Sequence, residues 1–286
     1  MDNKVRFHKH QIARAFNKAA SAYNNASFLQ KEVGLRLLER LMYMKIAPKH
    51  ILDLGGGTGQ LSEQLETIYP NASIVNLDLA HAMLCEHKTS HTLKCCADFD
   101  ALPFALGQFD LIIANCALQW SNNLAVTTAQ IKEVMKPNAI FIFSTFGPDT
   151  LQELKYIWGN IDSYQHVNDF IDMHHIGDIL LQHKFIDPVV DRENITVTYP
   201  SAIKLMKELK SMGATNINSG RTKYLATKSS IAKVNEDYNN SFKTADEKNV
   251  YATFEIIYGL SWGVRPKDEA HKTQHIPVDT IKNISI

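Results

Sequence analysis

The 286 residues carry 30 basic and 30 acidic side chains, and hydrophobic residues make up 45% against 21% charged. That balance is ordinary for a globular chain, and it leaves no global field to attract nucleic acid, so a polyanion would have to meet a local patch. No apolar run approaches the roughly 20 residues that cross a bilayer, and Met1–His10 is polar and basic, so it reads as neither signal peptide nor membrane anchor.

Residues 11 to 44 read as helical. Ile12, Ala15, Phe16 and Ala19 share one helical face, and after a break near Tyr23–Asn25 a second stripe runs through Leu29, Val33, Leu37, Leu38 and Leu41. Pro48 ends this lead-in. Five short apolar segments follow, at His50–Leu54, Ser73–Leu77, Leu93–Cys96, Phe109–Ala114 and Ala139–Thr145, separated by helical patterns at Gly59–Tyr69, Ala80–Lys88 and Ala125–Met135. Alternation of this kind predicts a parallel sheet covered on both faces. Beyond Thr145, residues 148 to 183 read as mainly helical, Pro188–Tyr199 as a strand, 201 to 212 as a basic amphipathic helix, 213 to 250 as polar loop, and Thr253–Trp262 as a last strand. The tail from Lys267 reads as frayed.

The whole of 1–286 thus reads as a single domain: a helical lead-in (1–47), a cofactor-binding core (48–147), substrate-side helices with the last two strands (148–265), and a tail (266–286). The fold class is α/β, Rossmann-like, a mostly parallel seven-stranded sheet with helices on both faces and inserted helices in the C-terminal half. Cys85, Cys95, Cys96 and Cys116 form no CxxC pair and read as reduced core thiols of a cytoplasmic protein.

Chemistry concentrates at the predicted strand ends. Asp53-Leu54-Gly55-Gly56-Gly57-Thr58-Gly59 follows the first strand and opens a helix, where glycines let the backbone approach a ligand that any Cβ would obstruct. The spacing is GxGxG, not the GxGxxG of dinucleotide enzymes. Asp53 suits the cationic amino-acid portion of S-adenosylmethionine and would repel a pyrophosphate. Asp78, with Leu79 beside it, ends the second strand and is placed to accept hydrogen bonds from ribose hydroxyls or to cap the next helix. Asp98 and Phe99 follow the third strand, where a carboxylate can accept from an adenine amino group and an aromatic can pack on the ring. Asn115 ends the fourth strand, and Cys116-Ala117-Leu118-Gln119-Trp120 would floor the site, with Trp120 either at the substrate or in the core.

The glycine turn, Asp78, Asp98-Phe99, Asn115 and Lys136-Pro137-Asn138 together resemble class I S-adenosylmethionine-dependent methyltransferases, with Asn138 standing where that family has glycine. Longer stretches are more specific. Ala13–Tyr23, Phe143–Lys155, His166–His174, Ile176-Gly177-Asp178, Pro188–Asp191 and Thr253–Gly259 resemble malonyl-acyl-carrier-protein O-methyltransferases of biotin synthesis, over roughly residues 10 to 265. The chain departs from that family at Thr215, usually His there, and at Thr222 to Lys228.

This resemblance implies transfer of a methyl group from S-adenosylmethionine, leaving S-adenosylhomocysteine, to the free carboxylate of malonyl-acyl-carrier protein or malonyl-CoA, the start of pimeloyl synthesis. Tyr23 and Trp120 are the positioning candidates, Tyr23 either closing over cofactor and carboxylate or serving as a core aromatic. Arg221 is a candidate for gripping the carboxylate or a solvated surface residue. Lys204, Lys207 and Lys210, at helical spacing with Arg221 and Lys223 beyond, form a candidate dock for an acidic carrier. His174 and His175 lack the partner spacing of a metal site. Two other readings stay open at this level: a methyltransferase-like assembly factor or hydroxylase acting on a protein partner, suggested by Phe146–Leu151, and an NAD-dependent dehydrogenase, for which Asp78 would serve equally.

Overall fold

A computed structural model describes residues 7–89, 91–218, 221 and 226–264. Lys223, the tail from Lys267 and most of Met1–His10 fall outside the described residues. The lead-in forms two helices, α1 (Lys9–Ala26) and α2 (Phe28–Met42), which break at Ser27 instead of near Tyr23–Asn25, so Tyr23 stays on α1. The stripe on α2 packs as its spacing predicts: Leu29, Val33, Leu37, Leu38 and Leu41 are all buried.

Next come β1 (His50–Leu54), α3 (Gln60–Ile68), β2 (Ser73–Asp78), α4 (His81–Glu86), β3 (Leu93–Cys96) and β4 (Phe109–Ala114). After a 3-10 turn at Leu118–Trp120 the chain makes α5 (Leu124–Val134), β5 (Met135–Phe146), α6 (Gln152–Gly159), α7 (Met173–Gln182), β6 (Ile186–Tyr199), α8 (Ala202–Ser211), α9 (Lys228–Ser241) and β7 (Val250–Trp262). The seven strands lie in the order β3-β2-β1-β4-β5-β7-β6. The first five run parallel, and β7 pairs antiparallel with both β5 and β6.

Side-chain alternation divides the core into two layers, because successive residues of a strand point to opposite faces. Ile51, Leu111, Ile113, Ile140 and Ile142 pack with α2, α3, α6, α8 and α9, whereas Leu52, Ile112, Phe141 and Phe143 pack with α5 and α7. Helices therefore cover both faces, and the reversal of strand order between β1 and β4 opens a crevice at the carboxyl ends of the strands, where ligands bind in such sheets.

Three expectations need correction. Residues 213 to 250 are not all loop: α9 occupies Lys228–Ser241, capped by the Thr227 side chain, which accepts from the Ser230 amide at 3.1 Å. Its polar composition hid it, since only Val234 and Tyr238 are buried and the rest of its surface meets solvent. The cysteines are all free, but only Cys116 is buried, whereas Cys85 and Cys96 are exposed; β3 is the edge strand and keeps little of itself from water. The segment 148 to 183 contains helices α6 and α7 joined by a non-helical link over 160–172. Asn138 adopts the left-handed conformation expected of it, with φ 59°, inside a bulged β5.

Candidate active site

The glycine turn and the acid of β2 build one wall. Gly55 and Gly57 have φ of 71° and 56°, which only glycine adopts freely. The Gly57 amide donates to Asp78 Oδ2 (3.0 Å) and the Ala80 amide to Asp78 Oδ1 (2.7 Å), so Asp78 braces the turn and the chain leading into α4, whose own N-cap residue is Ala80. Burial pushes the Asp78 carboxyl up to about 6, against those two amides, which lower it.

Asp53 lies elsewhere than expected. It is wholly buried beneath the turn: Oδ2 accepts from Ser62 Oγ at 2.7 Å, and Oδ1 is buried without a partner. A Cβ on Gly56 would stand 2.6 Å from that carboxylate and from Asn76 Oδ1, so glycine at this position lets the turn sit on the acid. Desolvation raises Asp53 to about 7, with Asp78 adding to the rise. Of the three strand-end acids, Asp78 and Asp98 line one cavity, and Asp53 lines a second behind the turn.

The first cavity, about 1270 Å³ with its open mouth included, has two chemically different ends. At one end lie Gly55, Gly57, Asp78, Leu79, Asp98 and Phe99; at the other lie Phe146, Leu154, His166, Asn168, Phe170 and Phe254. Asn115, Cys116, Gln119 and Trp120 form the floor between them. Asn115 is fixed on both sides, donating to the Gln30 carbonyl (2.8 Å) and accepting from Ser144 Oγ (2.7 Å). Burial raises the Cys116 thiol to about 12 and keeps the Tyr23 phenol protonated far above neutrality, so neither supplies a base.

Helix α1, which carries the Ala13–Tyr23 stretch and Tyr23, forms the roof, and its Lys9 end was not signalled by the sequence. Lys9 Nζ sits 2.9 Å from Asp98 Oδ1 and 2.7 Å from Asp100 Oδ2, 4.7 Å over the Phe99 ring. Phe7 and Phe16 pack on Trp120 with ring centroids 5.8 and 5.5 Å away. Trp120 is thus both core and cavity wall, and half-buried Tyr23 joins it across Phe16. Gln30 on α2 is a further unheralded lining residue, and its Oε1 is buried without a partner.

Arg221 is exposed, donates to Gln11 Oε1 of α1 at 3.3 Å, and is not part of the cavity wall. Lys204, Lys207 and Lys210 project from α8 into solvent, while Leu209 and Met212 at its other side line the cavity. His174 and His175 are exposed in the first turn of α7, and among the described residues no group of three or more His, Cys, Asp or Glu side chains converges as metal ligands do. No helix of the described residues is long and apolar enough to cross a membrane.

A glycine turn braced by an acid at the switch point, a second acid with an aromatic one strand further, and an antiparallel β7 between β5 and β6 define a class I methyltransferase. In agreement, a family described as "Methyltransferase domain" matches residues 52–143. Similarity extends over nearly the whole chain to two malonyl-[acyl-carrier protein] O-methyltransferases. That of Legionella pneumophila is 39% identical, covering 95% of this chain and 97% of its own length. That of Gallionella capsiferriformans is 38% identical, covering 93% and 94%. The chain belongs to the malonyl-[acyl-carrier protein] O-methyltransferase family. Its fold alone also matches the YcgJ protein of Bacillus subtilis, with a TM-score of 0.56 at 12% identity over 80% of this chain and 98% of that one.

Proposed function

We propose that this chain methylates the free carboxylate of a malonyl thioester borne by an acyl carrier protein, using S-adenosylmethionine, and so prepares a primer for pimeloyl synthesis. The observation that carries this reading is the single cavity joining an acid-lined end to an apolar end across one floor.

The cofactor fits the residues present. Asp78 keeps lone pairs for ribose hydroxyls beyond its two backbone donors, and Asp98 with Phe99 suits an adenine amino group and ring. Leu79 lies against the same end. The unpartnered Gln30 Oε1, beside Gly55, Gly57 and Asn115, offers an acceptor near a cationic amino-acid portion, and Asp53 supports the turn from beneath Gly56. When bound, S-adenosylmethionine supplies a methyl group on a sulfonium, leaving S-adenosylhomocysteine.

The protein's own work is positioning. A carboxylate is ionised at neutral pH and already nucleophilic, so no base is required, and the phenol and thiol that line the cavity hold their protons. Tyr23 and Trp120, locked by Phe16, keep the carboxylate and methyl donor in line and exclude water. Lys204, Lys207 and Lys210 stand on the outer side of the helix whose other side walls the substrate end, so an acidic carrier docked there would deliver its thioester a short way in. Esterification removes a negative charge that apolar chain-elongating pockets would reject.

The test is incubation of pure protein with labelled S-adenosylmethionine and malonyl-carrier protein. A methyl ester released by alkali supports the reading; cofactor binding with no transfer to a malonyl thioester overturns it.

A further inference from the structure

An anion entering the apolar end of the cavity needs hydrogen-bond donors there, and this wall offers few. Among the described residues that line the cavity, the basic ones are Lys9 and His166. Lys9 is taken, held between Asp98 and Asp100 at the other end. His166 sits on the 160–172 link, on the substrate side.

Its setting is built. Nε2 lies 2.8 and 3.0 Å from the two Asp162 carboxylate oxygens, and the ring stacks on Trp158 with centroids 3.7 Å apart and planes 8° from parallel. Those contacts fix the ring and leave Nδ1 as its remaining polar atom, without a partner among the described residues. Two residues on, Asn168 lines the same cavity, and its Oδ1 is buried with no hydrogen-bond partner. The link itself is tied down, since Asn216 Nδ2 donates to the Gln165 carbonyl. A bare latch for the link would explain the Asp162 contact. It leaves unexplained why the Oδ1 of half-buried Asn168, on a cavity wall that also carries Phe146, Phe170 and Phe254, is itself buried and unpartnered, at a desolvation cost.

We propose that His166 and Asn168 form the subsite for the terminal carboxylate of the acyl thioester. Nε2 is held by the Asp162 carboxylate, and an N–H at Nδ1 donates to the carboxylate oxygen that does not attack. The Asn168 amide, turned about χ2, adds an N–H from its side. Asp162 acts through His166 as a positioning residue. The pair selects a dicarboxylic monothioester over a monoacyl one, because an acetyl group would leave both donors unpaired. This assignment rests on the malonyl reading above.

His166→Phe keeps the stacking on Trp158 and removes the ring N–H groups, and Asn168→Asp sets a like charge against the substrate. Each variant is expected to raise KM for malonyl-carrier protein ~10- to 100-fold with less change in kcat, and to leave the calorimetric Kd for S-adenosylmethionine at the parental value. Parental KM in both variants overturns the assignment. So does a loss of cofactor affinity matching the rise in KM, since that marks a structural role. Should His166→Phe fail to fold, Asn168→Asp carries the test, its folding checked by cofactor binding. If the parent protein itself forms no ester from malonyl-carrier protein, the malonyl reading falls and takes the subsite with it; a parent that transfers methyl while the variants keep its KM removes the subsite alone.

Discussion

The Gly57 amide donates to Asp78 Oδ2 across 3.0 Å, so the turn after β1 and the acid that ends β2 behave as one unit. Removing the carboxylate deprives two backbone amides, Gly57 and Ala80, of their acceptor and the ribose of its partner. Asp78→Ala is therefore expected to weaken S-adenosylmethionine binding by about 1–3 kcal/mol and to lower thermal stability as well. Calorimetry giving an unchanged Kd would take Asp78 out of the cofactor site.

Gly56 rests on Asp53 with no room to spare, since a Cβ there would lie 2.6 Å from both the Asp53 carboxylate and Asn76 Oδ1. Both neighbours are buried and cannot swing into solvent. Gly56→Ala should destabilise the protein by about 1–3 kcal/mol through overpacking and displace the turn enough to lose cofactor binding. A variant with parental melting temperature and affinity would show that the turn yields cheaply.

Asp53 makes the protein sensitive to pH in a defined direction. Burial raises its carboxyl from an ordinary 3.8 to about 7, so across that window the folded state holds more protons than the unfolded state. Stability therefore falls as pH rises from about 4 to 7, and the cofactor-free protein should melt at a higher temperature at pH 5 than at pH 8. Asp53→Asn should flatten much of this slope and stabilise the protein at pH 8 by an amount on the order of 1–4 kcal/mol. Asp78, raised to about 6 by the same cause, accounts for what remains. Melting curves with equal slopes for parent and variant would show that burial does not raise the Asp53 carboxyl.

The exposed lysines of α8 predict a separable effect. Lys207→Glu with Lys210→Glu should raise KM for malonyl-carrier protein about ten-fold at low salt, less at high salt, and spare cofactor affinity. Identical KM values for parent and double variant would exclude this face as the dock.

Much of this molecule was determined by local pattern. Short apolar segments and the alternation of Pro188–Tyr199 marked the strands, the 3.6-residue stripe marked α2 down to its five buried side chains, and the order of elements implied a mostly parallel sheet completed by two late strands, whose antiparallel pairing only the structure shows. The glycine turn with Asp78, Asp98, Phe99 and Asn115 was equally legible, because the fold places successive strand ends at one crevice and each residue follows its own strand.

What escaped the sequence depends on partners distant in the chain. Lys9 meets Asp98 from 89 residues away, a contact no spacing rule encodes. Asp53 proved to be sealed under Gly56, since whether a strand-end carboxylate faces a ligand or the interior is decided by what packs over it. Arg221 went to Gln11 at the surface, 210 residues away. Helix α9 was hidden for the converse reason: a helix that buries two residues leaves little apolar periodicity to read, and only its packing against α6 and α8 supplies the stability its composition lacks. Local backbone preference and hydrophobic period set the elements and their order; tertiary packing alone decided which polar groups were desolvated, which were paired, and which remained open to a ligand.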